Sequence, residues 1–150
     1  MEKITLTNSY DEEKVRCSGY WRPEEVRSVE IDALVDTGAM TLVLPADVVE
    51  NLGLREAGRR KVRYANGDVA EIPWVAGVRL TVLGRETVTT ALVERAGKTP
   101  RIGQIPLEEL DLLVDPTSLA LRVNPDSPDA PLLELLAAAS GDATESPAPR

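Results

Sequence analysis

Short apolar segments with the alternation of β-strands, separated by turn residues about every ten positions, run through residues 3–123. The clearest strand pattern covers residues 26–35, whose alternate side chains from Val29 to Val35 are apolar and share one face. Further strand-like segments are residues 3–7, 40–44, 62–64, 69–75, 78–83, 87–93 and 119–123. Many short strands joined by tight turns are typical of a small β-barrel or β-sandwich.

Two short helices are predicted among these strands. One follows Pro45, where apolar residues recur at helical spacing before Gly53. The other is LEELDLL, residues 107–113, which places Leu107, Leu110 and Leu113 on one face before Asp115-Pro116 ends it. Residues 8–23 are polar and irregular, so they are predicted to form a loop.

The chain of 150 residues fits a single domain. Residues 1–25 are predicted to be an N-terminal strand and loop that belong to the domain, and residues 26–136 its main part. Residues 137–150 are mainly Ala, Ser, Pro and charge without periodicity, which predicts a disordered tail. No apolar run is long enough to span a membrane, and the N-terminus lacks the apolar core of a signal peptide, so a cytoplasmic location is expected.

Histidine is absent from the sequence, which excludes Ser-His-Asp and Cys-His catalysis and histidine-based zinc sites. The one cysteine, Cys17, allows no internal disulfide and no thiolate cluster. A net charge of −8, from 17 basic and 25 acidic residues, argues against binding to nucleic acid or to an anionic membrane. Acid–base chemistry must therefore come from carboxylates, Lys, Tyr or the thiol, and no metal or cofactor is predicted.

Asp36 is the strongest candidate for such chemistry. It ends an apolar strand and precedes the small, turn-forming residues Thr37, Gly38 and Ala39. Thr37 offers a hydroxyl for a hydrogen-bond network, and Gly38 lets a backbone or a ligand approach closely. The tripeptide Asp-Thr-Gly is also a good turn sequence, so the segments around it decide its meaning.

Those segments occur in a distinctive order. An apolar strand leads into ALVDTGAMTLVLP, followed by a helix ending in LGL, then YANGDV, then IGQIPLEELDLLVDP. In this combination the sequence resembles the retropepsin-like aspartic proteases, in particular small single-domain bacterial members. The resemblance spans residues 26–123 and implies an all-β, closed acid-protease barrel with one or two short helices.

The resemblance also implies an activity, the hydrolysis of peptide bonds. The Asp of the Asp-Thr-Gly turn is one half of a two-carboxylate site in that family, and this chain holds only one such turn. Two copies of Asp36 would therefore meet across the two-fold axis of a homodimer and activate a water molecule that attacks a peptide or protein substrate. No nucleic-acid or membrane partner is expected.

Further site residues follow from the same resemblance. Asp36 is supported by Thr37, Gly38, Ala39, Ile102 and Gly103, and a flap that closes over substrate is formed by Tyr64, Ala65, Asn66, Gly67 and Asp68. An Asn-Gly tip between apolar strands independently predicts a hairpin there.

Arg101 departs from the family pattern, which has an apolar residue before Ile102-Gly103. An arginine at this position must point outward or pair with an acid. It favours an alternative function, a dimeric peptide-binding or regulatory module that keeps the protease fold with little or no turnover.

Overall fold

In the computed structural model, which describes residues 1–135, nine strands and three α-helices form a mostly-β fold. The strands are β1 Glu2–Asn8, β2 Ser28–Val35, β3 Leu42–Pro45, β4 Glu56–Arg63, β5 Val69–Val82, β6 Arg85–Glu94, β7 Arg101–Ile102, β8 Leu112–Val114 and β9 Leu121–Val123. The helices are α1 Ser9–Ser18, α2 Ala46–Leu52 and α3 Gln104–Leu110, with a short 3-10 turn at Pro23–Glu25.

Seven strands form one sheet in the order β1-β2-β7-β3-β6-β5-β4. β1 also pairs with β5, which closes six of these strands into a ring and leaves β4 outside, paired with β5. β8 and β9 form a separate two-stranded sheet. This architecture is that of the acid-protease fold expected from the sequence.

The core lies inside the ring of strands, where alternate apolar side chains point. On β1 the side chains of Ile4 and Leu6 are buried while Thr5 and Thr7 are partly exposed. β3 lies between β6 and β7, and all four of its residues are buried. Other fully buried side chains are Leu52, Leu80, Val78, Ile102 and Leu110.

The loop predicted over residues 8–23 is wrong for most of its length, because residues 9–18 form helix α1. The side chain of Asn8 caps this helix by accepting hydrogen bonds from the backbone N–H groups of Tyr10 and Asp11. Gly19 ends it in the left-handed conformation. The helix is so polar that it lacks the apolar stripe by which sequence patterns reveal helices. With α1, residues 1–135 contain three α-helices where one or two were expected.

The helix predicted over residues 107–113 begins earlier and ends earlier. α3 stops at Leu110 because Asp111 adopts the left-handed conformation, with φ of 55°. Leu113 therefore belongs to β8, which pairs with β9. Asp115-Pro116 lies in the connection between these two strands rather than at the end of a helix.

The two strands predicted at residues 69–75 and 78–83 are one long strand, β5. Its pairing with β6 is interrupted by an irregularity between Val75 and Val78. Gly77 has φ of 74° there, and a β-carbon on it would lie 2.4 Å from the ring of Tyr10. The bulge therefore needs glycine both for its backbone and for the close packing of α1.

None of the helices within residues 1–135 has the length and apolar character needed to cross a membrane. The cytoplasmic location stays a prediction. The predicted tail at residues 137–150, and the predicted domain boundary at residue 136, lie outside the described residues.

Candidate active site

Asp36 lies where β2 leaves the sheet. β2 and β7 run parallel, with Leu34 opposite Arg101 and Val35 opposite Ile102. The backbone N–H of Asp36 continues this ladder by donating to the carbonyl of Ile102 at 3.0 Å. The backbone of Asp36 is thus fixed by the sheet, while its side chain is 35% exposed.

The residues after Asp36 form a tight turn that orients its carboxylate. Oδ1 of Asp36 accepts a hydrogen bond from the backbone N–H of Gly38 at 3.0 Å. The carbonyl of Asp36 accepts one from Ala39 at 3.1 Å. A β-carbon on Gly38 would lie 3.2 Å from Oδ1, so a larger residue would crowd the carboxylate. Thr37 is exposed at the tip of the turn.

Ile102 and Gly103 support this turn from behind. Ile102 is fully buried. A β-carbon on Gly103 would lie 2.3 Å from the carbonyl oxygen of Thr41 and 2.7 Å from that of Ala39, so only glycine fits. The start of α3 then binds the turn directly, with Gln104 N–H donating to the carbonyl of Ala39 at 2.9 Å. The structure thus brings together Asp36 and all five residues predicted to support it.

Arg101 is the charged group beside Asp36. Its Nε atom lies 4.0 Å from Oδ2 of Asp36, and each of the two side chains is 35% exposed. The sequence left open whether Arg101 points outward or pairs with an acid. In the structure its side chain approaches the carboxylate of Asp36.

An open cleft of about 450 Å³ lies on the surface next to Asp36. Besides Asp36 and Thr37 it is lined by Val35, Val114, Pro116 and Leu119. The last three belong to β8 and to the connection that follows it, which sequence reasoning did not place at the site. The apolar segments on either side of Asp115-Pro116 are consistent with a hairpin. The sequence instead predicted a helix there, because Leu107, Leu110 and Leu113 have helical spacing.

The predicted flap residues Tyr64 to Asp68 form the exposed tip of the β4–β5 hairpin. Gly67 has φ of 92°, and the side chain of Asn66 bonds both the backbone N–H and the carboxylate of Asp68. Within the described part of the chain these residues make no hydrogen bond to the turn at residues 36–39. A larger open cleft of about 600 Å³ lies beside this hairpin and does not include Asp36.

Metal-ligating side chains do not cluster in residues 1–135: no group of three or more His, Cys, Asp or Glu is arranged to hold an ion. What the site offers is a carboxylate fixed on a rigid turn, an arginine beside it and an apolar wall. A single carboxylate of this kind can accept or donate one proton.

Comparison with known proteins identifies the family. The aspartyl protease family model matches residues 23–116, which is more than half of the chain. The chain belongs to the retropepsin-like aspartyl protease family. No curated protein matches it. The matched segment of this aspartyl protease family member includes the Asp36 turn, the residue 64–68 hairpin tip and Ile102-Gly103, while β1, α1 and β9 lie outside it.

Proposed function

We propose that the protein is an aspartic endopeptidase that works as a homodimer, with one Asp36 carboxylate contributed by each chain. The observation that carries this proposal is the exposed Asp36 carboxylate on its rigid Asp-Thr-Gly turn, in a chain with only one such turn. An aspartic protease needs two carboxylates, and a two-fold axis beside Asp36 would place each copy next to the other.

The surface around Asp36 suits such a contact. Large apolar side chains are exposed on the segments that hold the turn or flank its cleft, namely Leu34 at 41%, Met40 at 73%, Ile105 at 41% and Leu119 at 55%. Apolar side chains grouped on a surface mark an interaction site. A second copy of the chain would cover them and bring the two Thr37 hydroxyls together as well.

The chemistry follows from two carboxylates in close proximity. The two carboxyl groups share one proton, because they cannot both be ionised when they lie only a few ångström apart. The ionised carboxylate takes a proton from a water molecule, whose oxygen bonds to the scissile carbonyl carbon. The protonated carboxyl donates its proton to the carbonyl oxygen. When the tetrahedral intermediate collapses, the C–N bond breaks and the leaving amine takes the proton that the first carboxylate received from water, while a hydroxyl of the intermediate returns a proton to the second carboxylate.

The substrate would bind as an extended peptide between the Asp36 pair and the flap at residues 64–68. An extended peptide can be held through its backbone as an additional strand. Closure of the hairpin tip would exclude water from the reacting bond and position the peptide. The exposed tip supports this role, since a β-carbon on Gly67 would have no described neighbour within 4 Å and the side chain of Asn66 bonds Asp68 of the same tip.

The first test uses Asp36→Asn, which keeps the shape of the side chain and removes its charge. We expect purified wild type to cleave peptides from a diverse library between about pH 4 and 7, and Asp36→Asn to cleave none, as read by mass spectrometry. The matched control is Asp32→Asn, since Asp32 is an exposed β2 residue four positions away. Equal cleavage by wild type and Asp36→Asn would contradict the proposal.

The homodimer is tested by mixing the two proteins. If each active dimer needs two copies of Asp36, a fourfold excess of Asp36→Asn should lower the activity per wild-type chain to about one fifth, because most wild-type chains then pair with the variant. An excess of Asp32→Asn should leave activity per chain unchanged. Unchanged activity with Asp36→Asn in excess would show that one chain is sufficient.

One observation favours a second candidate, a dimeric peptide-binding module with little turnover. Arg101 places a charged guanidinium 4.0 Å from Asp36, at a position where the family pattern has an apolar residue. A binding module should keep its peptide affinity in Asp36→Asn and show no bell-shaped dependence of any rate on pH. A working carboxylate pair should show that bell shape.

A further inference from the structure

Arg101 has unused hydrogen-bonding capacity beside the reacting carboxylate. Its guanidinium carries five N–H donors, yet within residues 1–135 its side chain makes no hydrogen bond and only approaches Asp36 at 4.0 Å. The arginines with structural roles differ in this respect. Arg85 is buried and donates to the carbonyls of Leu110, Asp111 and Ser127, and Arg27 donates twice to Asp11.

The backbone of Arg101 is held in the sheet, while its side chain is accessible to a ligand. Its backbone lies in β7, between β2 and β3, opposite Leu34 and Val43. Its neighbour Ile102 points into the core, so Arg101 points out of it. A donor group with a fixed base and free N–H groups is suited to recognise a planar acceptor such as a carboxylate.

We propose that Arg101 selects peptides with Asp or Glu directly beside the scissile bond. This inference rests on the proposed peptidase function. The scissile carbonyl must lie within about 3 Å of Asp36, and the next residue of an extended peptide is only about 3.5 Å further along the chain. A side chain flanking the scissile bond therefore passes alongside Arg101.

Charge at the site makes Arg101 necessary for such a substrate. Without it, an acidic side chain would lie next to the negative charge that the proposed Asp36 pair shares, and would be repelled. The guanidinium neutralises that repulsion and offers the substrate carboxylate two parallel hydrogen bonds. Arg101 thus turns an unfavourable substrate into a preferred one.

The predicted flap hairpin contributes charge of the same sign. Residues 55–71 contain five basic and three acidic side chains, although the whole chain carries a net charge of −8. Acidic residues further along a bound peptide are therefore attracted by this hairpin, whereas most of the protein surface would repel them.

The test compares matched peptides with three Arg101 variants. From any peptide that wild type cleaves, versions are made with Glu, Gln or Lys on each side of the scissile bond. We expect wild type to prefer the Glu peptide over the Gln peptide by about fivefold or more in kcat/KM, mainly through KM, since the ion pair forms before the reaction. Arg101→Gln should remove the preference, Arg101→Lys should keep part of it, and Arg101→Glu should shift it to the Lys peptide.

Arg16→Gln serves as the control, since it removes the same charge from an exposed position on α1 and should leave the ranking of peptides unchanged. An identical ranking in wild type and Arg101→Gln would overturn the inference and leave the peptidase proposal intact. A uniform loss of kcat on all three peptides in Arg101→Gln would also overturn it, because it would indicate a structural role alone. No cleavage of any peptide by wild type would overturn both proposals together.

Discussion

Gly103 controls the position of Asp36 although it does not touch the carboxylate. The backbone of the Asp36 turn occupies the space where a side chain on Gly103 would lie. Gly103 has φ of −91°, which any residue can adopt. Glycine is therefore required because there is no room for a side chain, and not because of the backbone conformation.

We expect Gly103→Ala to destabilise the protein by about 3 kcal/mol, the upper end of the range for overpacking, because the new methyl group meets rigid backbone. It should also lower peptidase activity, since the turn has to move. Urea unfolding and peptide cleavage measure the two effects. Gly97→Ala is the control: a β-carbon there has no neighbour within 4 Å, so only the left-handed backbone costs about 1 kcal/mol and activity should persist. Equal stability of the two variants would contradict this account.

A feature that depends only on adjacent residues, such as the turn after Asp36, could be predicted from the sequence. Asp36 to Ala39 form a turn that their own residue types favour, whereas Ile102-Gly103 was assigned to the site through the family resemblance, and the pairing of β2 with β7 brings the two segments together. The approach of Arg101 to Asp36 depends on the parallel register between β2 and β7, which no local pattern specifies. The sequence therefore left its orientation open.

At the scale of elements, α1 is held to the segment that leads into β2 by an ion pair whose acidic partner is buried. Asp11 is completely buried and accepts hydrogen bonds from the backbone N–H, Nε and Nη2 of Arg27. These bonds, above all those from the Arg27 side chain, lower the pKa of Asp11 below its ordinary value. A polar helix can thus dock through charged contacts, here this one and the 2.7 Å ion pair of Glu12 with Arg79 on β5, together with the close packing of Tyr10 on Gly77.

Asp11→Ala should therefore destabilise the protein by about 2 kcal/mol, since charge-assisted hydrogen bonds are lost and the Arg27 backbone N–H is left without its partner. Hydrogen exchange should speed up selectively in residues 9–18. Glu13→Ala, on the exposed side of the same helix, provides the comparison and should change neither measurement. Slow exchange in α1 of the Asp11 variant would mean that other contacts hold the helix.

The elements that sequence patterns missed are those formed by long-range contacts. α1 depends on Arg27, sixteen residues away, and β8 depends on its pairing with β9. The elements with their own periodicity, such as β1, β2 and α2, were predicted because each carries its apolar face and end signals within a few residues.

At the scale of the whole molecule, the last described segment is fastened to the ring of strands by Asp111. Its carboxylate accepts hydrogen bonds from the side chains of Asn124 and Ser127 and from the backbone N–H of Leu132. These donors, Asn124 first, lower the pKa of Asp111 from 3.8 to about 2. The buried Arg85 lies 3.9 Å away.

Because of this network, the free energy of unfolding should decrease at acidic pH. Because the pKa of Asp111 is lower in the folded state, its contribution is complete above the unfolded value and is lost as the pH falls towards about 2. We expect the free energy of unfolding, measured in urea, to decline between about pH 5 and 2, and to decline less in Asp111→Asn. Asn124→Ala should make this decline smaller and end it at a higher pH, because the folded-state pKa of Asp111 moves back towards the unfolded value. The same pH dependence in wild type and Asp111→Asn would refute this assignment.

Closure of the ring was predictable only through the family resemblance. β1 pairs with β5, more than seventy positions along the chain for most pairs, in a register from Thr5–Thr81 to Asn8–Val78. The periodicity of apolar residues predicts that a segment is a strand but not which other strand it pairs with. Local patterns left both a barrel and a sandwich open, since either would satisfy the same alternation of apolar residues.

The ring has one further consequence, for how the protein behaves at high concentration. Among the described strands β4 pairs only with β5, so its other edge leaves backbone N–H and C=O groups that could pair with a strand of another chain, the usual starting point of amyloid-like stacking. Arg59, Arg60, Lys61 and Arg63 crowd that edge with like charges. Two such edges would repel each other, which disfavours edge-to-edge pairing between copies of the chain and hence the growth of fibres.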